Sequence, residues 1–205
     1  METRKRFLPI TTQNFETRDA DDQLVIEGYF AVFNSIYEIS DIFSESISPG
    51  AFTETIAGGD IRALTDHNTT LVLGRTTAGT LTLSEDEHGL KGRILINPKD
   101  QDAVNLYERV QRGDVTQASI GFFIESQTYE TDENNRTHWT INKIKLFEVS
   151  VCTFPAYEET ALDARRADFD VIKKRELDNW KTAIRARLKG DNDGIKSVDF
   201  TEKDR

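Results

Sequence analysis

His138-Trp139-Thr140-Ile141-Asn142-Lys143-Ile144-Lys145-Leu146-Phe147-Glu148-Val149-Ser150-Val151-Cys152-Thr153-Phe154 reads as one long β-strand that stops before Pro155. Residues two apart in a strand share a face. Glu148, Ser150 and Cys152 are therefore expected to point one way, and Phe147, Val149 and Val151 the other. A carboxylate among apolar neighbours on a central strand is unusual, because burying it is unfavourable unless it is paired or hydrogen-bonded. Glu148 thus marks where chemistry is to be sought.

Working outward, the polar run Thr131–Arg136 separates this strand from a preceding one over Ala118–Glu125. Earlier β-type runs are Leu24–Phe33, Ile61–Leu64, Leu71–Gly74, Gly79–Ser84 and Gly89–Ile96, with turn signals such as Glu87-His88-Gly89 between them. Ser48–Ile56 reads as a turn and short helix stopped by Gly58-Gly59. One good helix interrupts the strands. Asp100 or Asp102 caps it, Val104, Leu106, Tyr107 and Val110 form its apolar stripe, and Gly113 ends it. Many short strands at this spacing indicate a sandwich or barrel. After Pro155 the character changes: Asp163–Lys189 favours helix, with Leu177, Trp180, Ile184 and Leu188 at near-helical spacing. Gly190 ends that pattern, and residues from Asp191 onward read as disordered.

With 205 residues, 37% hydrophobic and 30% charged, the chain is expected to form one soluble domain with an appendage. No apolar run reaches the roughly 20 residues that span a bilayer, and no secretory signal follows the basic start Met1–Arg6. A cytoplasmic location without membrane contact is expected. The net charge of −10 argues against nucleic acid as a partner. Residues 161–205 carry 12 Lys+Arg against 10 Asp+Glu, so the acidity resides in the remainder. Cys152 is the only cysteine, which excludes an intrachain disulfide and a thiolate cluster; it is expected to be a buried apolar residue. His67, His88 and His138 lack metal-ligand spacing, so no metal site is expected.

Thr65-Asp66-His67 and Ala118-Ser119-Ile120-Gly121-Phe122 each lie at the end of a strand-like run. A serine hydroxyl needs a base to become a nucleophile, and that base needs a partner to fix its tautomer. His67, Ser119 and Glu148 supply a candidate base, nucleophile and partner. Ser150 is a rival nucleophile, and Asp66 reads equally well as a turn cap. Gly121, on the face of Ser119, allows close backbone approach. An α/β-hydrolase is disfavoured, because there is no Gly-x-Ser-x-Gly elbow and histidine precedes serine.

Seven ordered segments resemble the prohead maturation proteases of tailed bacteriophages. They are Gly28–Phe33, Ile47–Phe52, Leu64–His67, Leu73–Thr76, Gly89-Leu90, Ser119–Phe122 and Phe147–Tyr157. The resemblance covers roughly residues 24–157, leaving residues 1–23 as an N-terminal arm and 158–205 as a helical or disordered tail. It implies a mostly β, α+β fold similar to the herpesvirus assembly protease: an antiparallel β-barrel flanked by short helices. It further implies a serine endopeptidase with His67 as general base, Ser119 as nucleophile and Glu148 as third member. The herpesvirus enzymes use a histidine in that third place; here His138 is the only histidine after Ser119, and Glu148 is preferred.

The implied substrates are the scaffold, or the scaffold segment of the major capsid protein, and the protease itself. The implied place is the assembling procapsid in the host cytoplasm. A homodimer is implied by analogy, and the tail is a candidate scaffold-binding or self-cleaved segment. The alternative is a non-catalytic capsid assembly protein with a protease-like barrel.

Overall fold

The structure is a computed structural model that describes residues 5–10, 15–20, 23–154 and 158–188. Within them the chain forms β1 (Lys5–Ile10), β2 (Glu16–Ala20), β3 (Gln23–Val32), β4 (Tyr37–Ser40), β5 (Phe43–Ile47), α1 (Thr53–Ile56), β6 (Arg62–Thr65) and β7 (Asn68–Arg75). A short 3-10 turn at Thr76–Ala78 follows, then β8 (Leu81–Glu85), β9 (Gly89–Ile96), α2 (Gln101–Arg112), β10 (Gln117–Thr131), β11 (Thr137–Cys152) and α3 (Glu158–Leu188). Two compact units divide between Ala164 and Arg165.

The fold is mostly β with few helices. One sheet has seven strands and the other is a four-stranded antiparallel sheet ordered β2-β3-β9-β8. In the larger sheet β11 pairs antiparallel with β10, which pairs antiparallel with β1. The opposite edge of β11 takes two short strands in succession. β5 runs parallel along Thr137–Ile141 and β6 parallel along Glu148–Val151. The expected antiparallel barrel is therefore corrected on two counts: these pairings are parallel, and among the described residues the two sheets do not close on each other by strand pairing.

The reason lies in the length of β11. Sixteen residues present more backbone than one short strand can satisfy, and a buried backbone group left unpaired is strongly unfavourable. β5 and β6 act as two halves of an interrupted strand, and the intervening excursion serves the gap. Ser48 N–H donates to the Ile141 carbonyl at 3.0 Å, and Ile144 N–H donates to the Ala51 carbonyl at 3.0 Å. Leu146 N–H donates to Thr55 Oγ1 at 3.0 Å.

One side of the β10–β11 pair enters the core through Ala118, Ile120, Phe122, Val149 and Val151, together with Ala63 of β6. Ile120, Phe122, Val149 and Val151 each contribute roughly 1.5–3 kcal/mol on full burial, which fixes the sheet's inward face. α2 covers the core with Ala103, Leu106, Tyr107 and Val110. Asp100 is its N-cap, accepting from the backbone N–H groups of Asp102 and Ala103, and Gly113 at φ +84° ends it. The expected helix is thus present, capped by Asp100 rather than Asp102.

Two strands arise from the expected N-terminal arm. β1 pairs with β10 and β2 with β3, and Arg6 of β1 forms a buried ion pair with Glu45 at 3.3 Å. β4 and β5 were also absent from the sequence reading. Tyr37-Glu38-Ile39 and Phe43-Ser44-Glu45-Ser46-Ile47 do alternate with period two, but Glu45 occupies an inward position and breaks the apolar pattern. α3 includes the helical stretch expected after Asp163, and Leu177 and Trp180 are exposed on it. The disorder expected from Asp191 onward lies outside the described residues.

Thr55→Val removes the hydroxyl that bonds Leu146 while nearly preserving volume. It is expected to lower unfolding stability by about 1–2 kcal/mol, read as a reduced urea midpoint at constant m-value; an unchanged midpoint would contradict this role for the excursion.

Candidate active site

β6 and β7 are joined by Asp66-His67 alone, because Thr65 pairs with Asn68. Both loop residues have positive φ, +47° and +58°, the backbone pattern of a type I′ hairpin turn. Left-handed backbone is unfavourable by roughly 1–2 kcal/mol for most residues, less so for Asp. The turn is pinned against that strain. Asp66 N–H donates to the Val151 carbonyl at 3.1 Å, and the Asp66 carboxylate accepts the Thr153 N–H at 2.8 Å. The cap reading of Asp66 is therefore realised as a clamp between the turn and the end of β11.

From this turn the His67 ring reaches across the sheet. Its Nδ1 lies 2.6 Å from Glu148 Oε1, and Phe7 of β1 meets it edge-on with ring centroids 4.4 Å apart. Glu148 is 3% exposed. Its second oxygen, Oε2, accepts the Ser150 hydroxyl at 2.6 Å. Ser150 Oγ in turn accepts the backbone N–H of His67 at 3.2 Å. An ionised carboxylate accepts only, so Nδ1 carries the shared proton, and in the neutral imidazole Nε2 then keeps its lone pair. Nε2 is buried and has no hydrogen-bond partner among the described residues.

Register places the serine beside this pair. Ser119 lies opposite Ser150, and Gly121 opposite Glu148. On the outer side, β1 sets Phe7 opposite Gly121. Gly121 therefore stands in register between Phe7 and Glu148, the two residues that the imidazole meets. Ser119 is fully buried two residues along the same face, about 7 Å by strand geometry. The structure brings His67 and Glu148 into contact and sets Ser119 on their face, without a hydrogen bond from Ser119 to Nε2. Catalytic hydrogen bonds often tighten only when substrate binds.

One expectation fails. Phe147 does not point away from Glu148, because the pairing slips between Gly121/Glu148 and Phe122/Leu146 and leaves Phe147 as the extra residue of a β-bulge. A Cβ at Gly121 would stand 2.6 Å from the Phe147 ring and 2.3 Å from Glu148 Oε1. Phe147 and Glu148 thus lie together over Gly121, with Phe123 and Phe7 completing an aromatic edge at centroid distances of 5.2 and 6.3 Å from Phe147. Phe7, on the strand missing from the sequence reading, is the neighbour that pattern alone did not find.

His138 is far from this site. It stands ten residues before Glu148 on β11, roughly 30 Å away along the strand. Its two ring nitrogens lie 2.8 Å from the hydroxyls of Ser44 and Ser46. Cys152, on the face of Glu148 and Ser150, is buried. Burial, followed by the nearby charges of Asp66 and Glu148, pushes its thiol pKa up to about 12. At neutral pH it stays protonated and unreactive.

An imidazole held on a buried carboxylate, beside a strand that carries a serine, is the arrangement of groups that serine hydrolysis calls for. Residues 12–175 match the family described as caudovirus prohead serine protease, and the chain belongs to that family; it is a serine protease of phage capsid maturation. It is 32% identical over 161 residues to the prohead protease of Enterobacteria phage HK97, covering 77% of this chain and 67% of that protein. It also resembles the solved structure of the bacteriophage T4 capsid assembly protease, gp21, with a TM-score of 0.48 and 14% identity over 74% of this chain and 99% of that one.

Gly121→Ala would drive Glu148 from its place, and a misplacement of about 1 Å can lower a catalysed rate on the order of 100-fold. Proteolytic processing is expected to fall by at least that factor in a variant that still melts cooperatively; wild-type processing would contradict the close approach. Iodoacetamide at pH 8 is expected to leave the folded protein unmodified at Cys152 and fully active, as judged by intact mass. Stoichiometric alkylation of the native chain would contradict the protonated, sequestered thiol.

Proposed function

We propose that this protease cleaves peptide bonds through an acyl-enzyme on Ser119, with His67 as general base and acid and Glu148 holding the imidazole in its reactive tautomer. The observation that carries the reading is the 2.6 Å contact between His67 Nδ1 and Glu148 Oε1 on the sheet face shared by Ser119. Attack of Ser119 Oγ on the scissile carbonyl passes its proton to Nε2, and the imidazolium then protonates the leaving amine. Glu148 stabilises that imidazolium from within a buried setting, where charge–charge attraction is stronger than in water. No step calls for a metal or organic cofactor. The oxyanion needs backbone N–H donors near the nucleophile, and the segment Ser119–Gly121 is the candidate source.

The substrates we propose are the scaffold, or the scaffold segment of the major capsid protein, and the chain itself, cut inside the procapsid in the host cytoplasm. Cleavage inside a closed shell breaks the scaffold into pieces small enough to leave, which makes maturation irreversible. Among the described residues, no helix is long and apolar enough to cross a membrane. The helical tail, with Val171, Leu177 and Trp180 exposed, is suited to docking on scaffold, and self-cleavage near residues 155–157 would free the core from it. A homodimer, by analogy with the herpesvirus enzymes, belongs to the same proposal.

Coexpression with the cognate capsid protein tests this reading. Ser119→Ala and His67→Ala are each expected to reduce processing by about 10⁴-fold or more, and Glu148→Ala by about 10²–10⁴-fold, while shells still assemble. Mass analysis of the capsid-protein N-terminus and of the protease's own intact chain supplies the readout. Normal processing by Ser119→Ala would overturn the assignment.

A further inference from the structure

We infer that Ser150 is a positioning residue of the active site, holding both the turn that carries His67 and the carboxylate that orients its ring. This rests on the assignment of His67, Ser119 and Glu148 given above. Three observations carry it. Ser150 is fully buried, yet its hydroxyl engages no core group. Instead it donates to Glu148 Oε2 at 2.6 Å and accepts the main-chain N–H of His67 at 3.2 Å. Its place on β11, opposite Ser119 on one side and Leu64 on the other, puts it between the strand of the nucleophile and the hairpin of the base.

In this arrangement Ser150 is not poised as the attacking group. Its single proton goes to Glu148, so it cannot also be offered to Nε2, and one of its lone pairs is spent on the His67 N–H. What it does instead is geometric. Glu148 can orient the imidazole through Oε1 only if its other oxygen is fixed, because otherwise the carboxylate is free to rotate about its last bond. The backbone of His67 must likewise be anchored, because its turn is strained. One hydroxyl meets both needs, and the Asp66–Thr153 contact clamps the turn's other side.

The test uses the full-length chain in two backgrounds. In the Ser119→Ala background, the His67 Nδ1–H held on Glu148 should give a proton NMR resonance downfield of the amides. Ser150→Ala is expected to broaden it away or move it upfield, and Ser150→Thr, which keeps the hydroxyl, to retain it. In the chain with Ser119 intact, Ser150→Ala is expected to slow fluorophosphonate labelling of Ser119 by about 10- to 100-fold, the scale of one lost hydrogen bond to a charged group. Ser150→Thr should restore most of that rate. Should Ser150→Ala fail to fold, Ser150→Cys, a weak donor of similar size, carries the same readouts. An unchanged resonance with an unchanged labelling rate at Ser119 would overturn the positioning role and leave the nucleophile assignment standing. A label mapped to Ser150 in the wild type would overturn that assignment, and this inference with it.

Discussion

Glu148 imposes the constraint from which the site follows. A carboxylate left unpaired in a protein interior is unfavourable by several kcal/mol, and this one is almost wholly enclosed by β10, β11 and the ring above it. The fold meets that demand at both oxygens, with an imidazole N–H on one and a serine hydroxyl on the other. The donor on the first oxygen is also the residue proposed as the base. The electrostatics that make the buried charge tolerable therefore set the tautomer that makes His67 useful. Gly121 belongs to the same constraint, since any side chain there would occupy the space of the carboxylate.

The surrounding architecture serves to bring three distant segments to that point. Antiparallel pairing of β10 with β11 sets Ser119 two residues from the glycine beneath Glu148. Parallel pairing of β6 with β11 ends at Val151, so the tight β6–β7 turn projects its histidine back over the strand. The bulge at Phe147 turns an extra aromatic ring onto the same face and adds local twist. Behind the sheet, Val149, Val151, Ala118 and Ile120 anchor these strands in the core. Their burial is what lets a polar site sit on a rigid platform.

Much of this was legible in the sequence, and the parts that were not have physical causes. The period-two rule applied to β11 placed Glu148, Ser150 and Cys152 together because that stretch is regular. It failed at Phe147, where a single extra residue resets the alternation, and no residue type announces a bulge in advance. α2 was readable from its Asp100 cap, apolar stripe and terminal glycine, which are local signals. β5 was hidden because Glu45 interrupts its apolar alternation and is buried against Arg6 of β1, a partner that local pattern does not reveal. The antiparallel barrel was implied by the family resemblance, not by strand spacing, which says nothing about direction; the parallel strands along β11 arise from an excursion that returns the chain to the same edge. The clamp of Asp66 on Thr153 links residues 87 positions apart and left no local trace.

The central claim is that a buried carboxylate, an imidazole and one particular alcohol meet on a single sheet face. A crystal structure of the chain inactivated by a peptidyl phosphonate would test it most directly. The account predicts phosphorus bonded to Ser119 Oγ, His67 Nε2 within about 3 Å of an adduct oxygen, and Nδ1 still on Glu148. Phosphorus on any other side chain, or an imidazole turned away from Glu148, would contradict it.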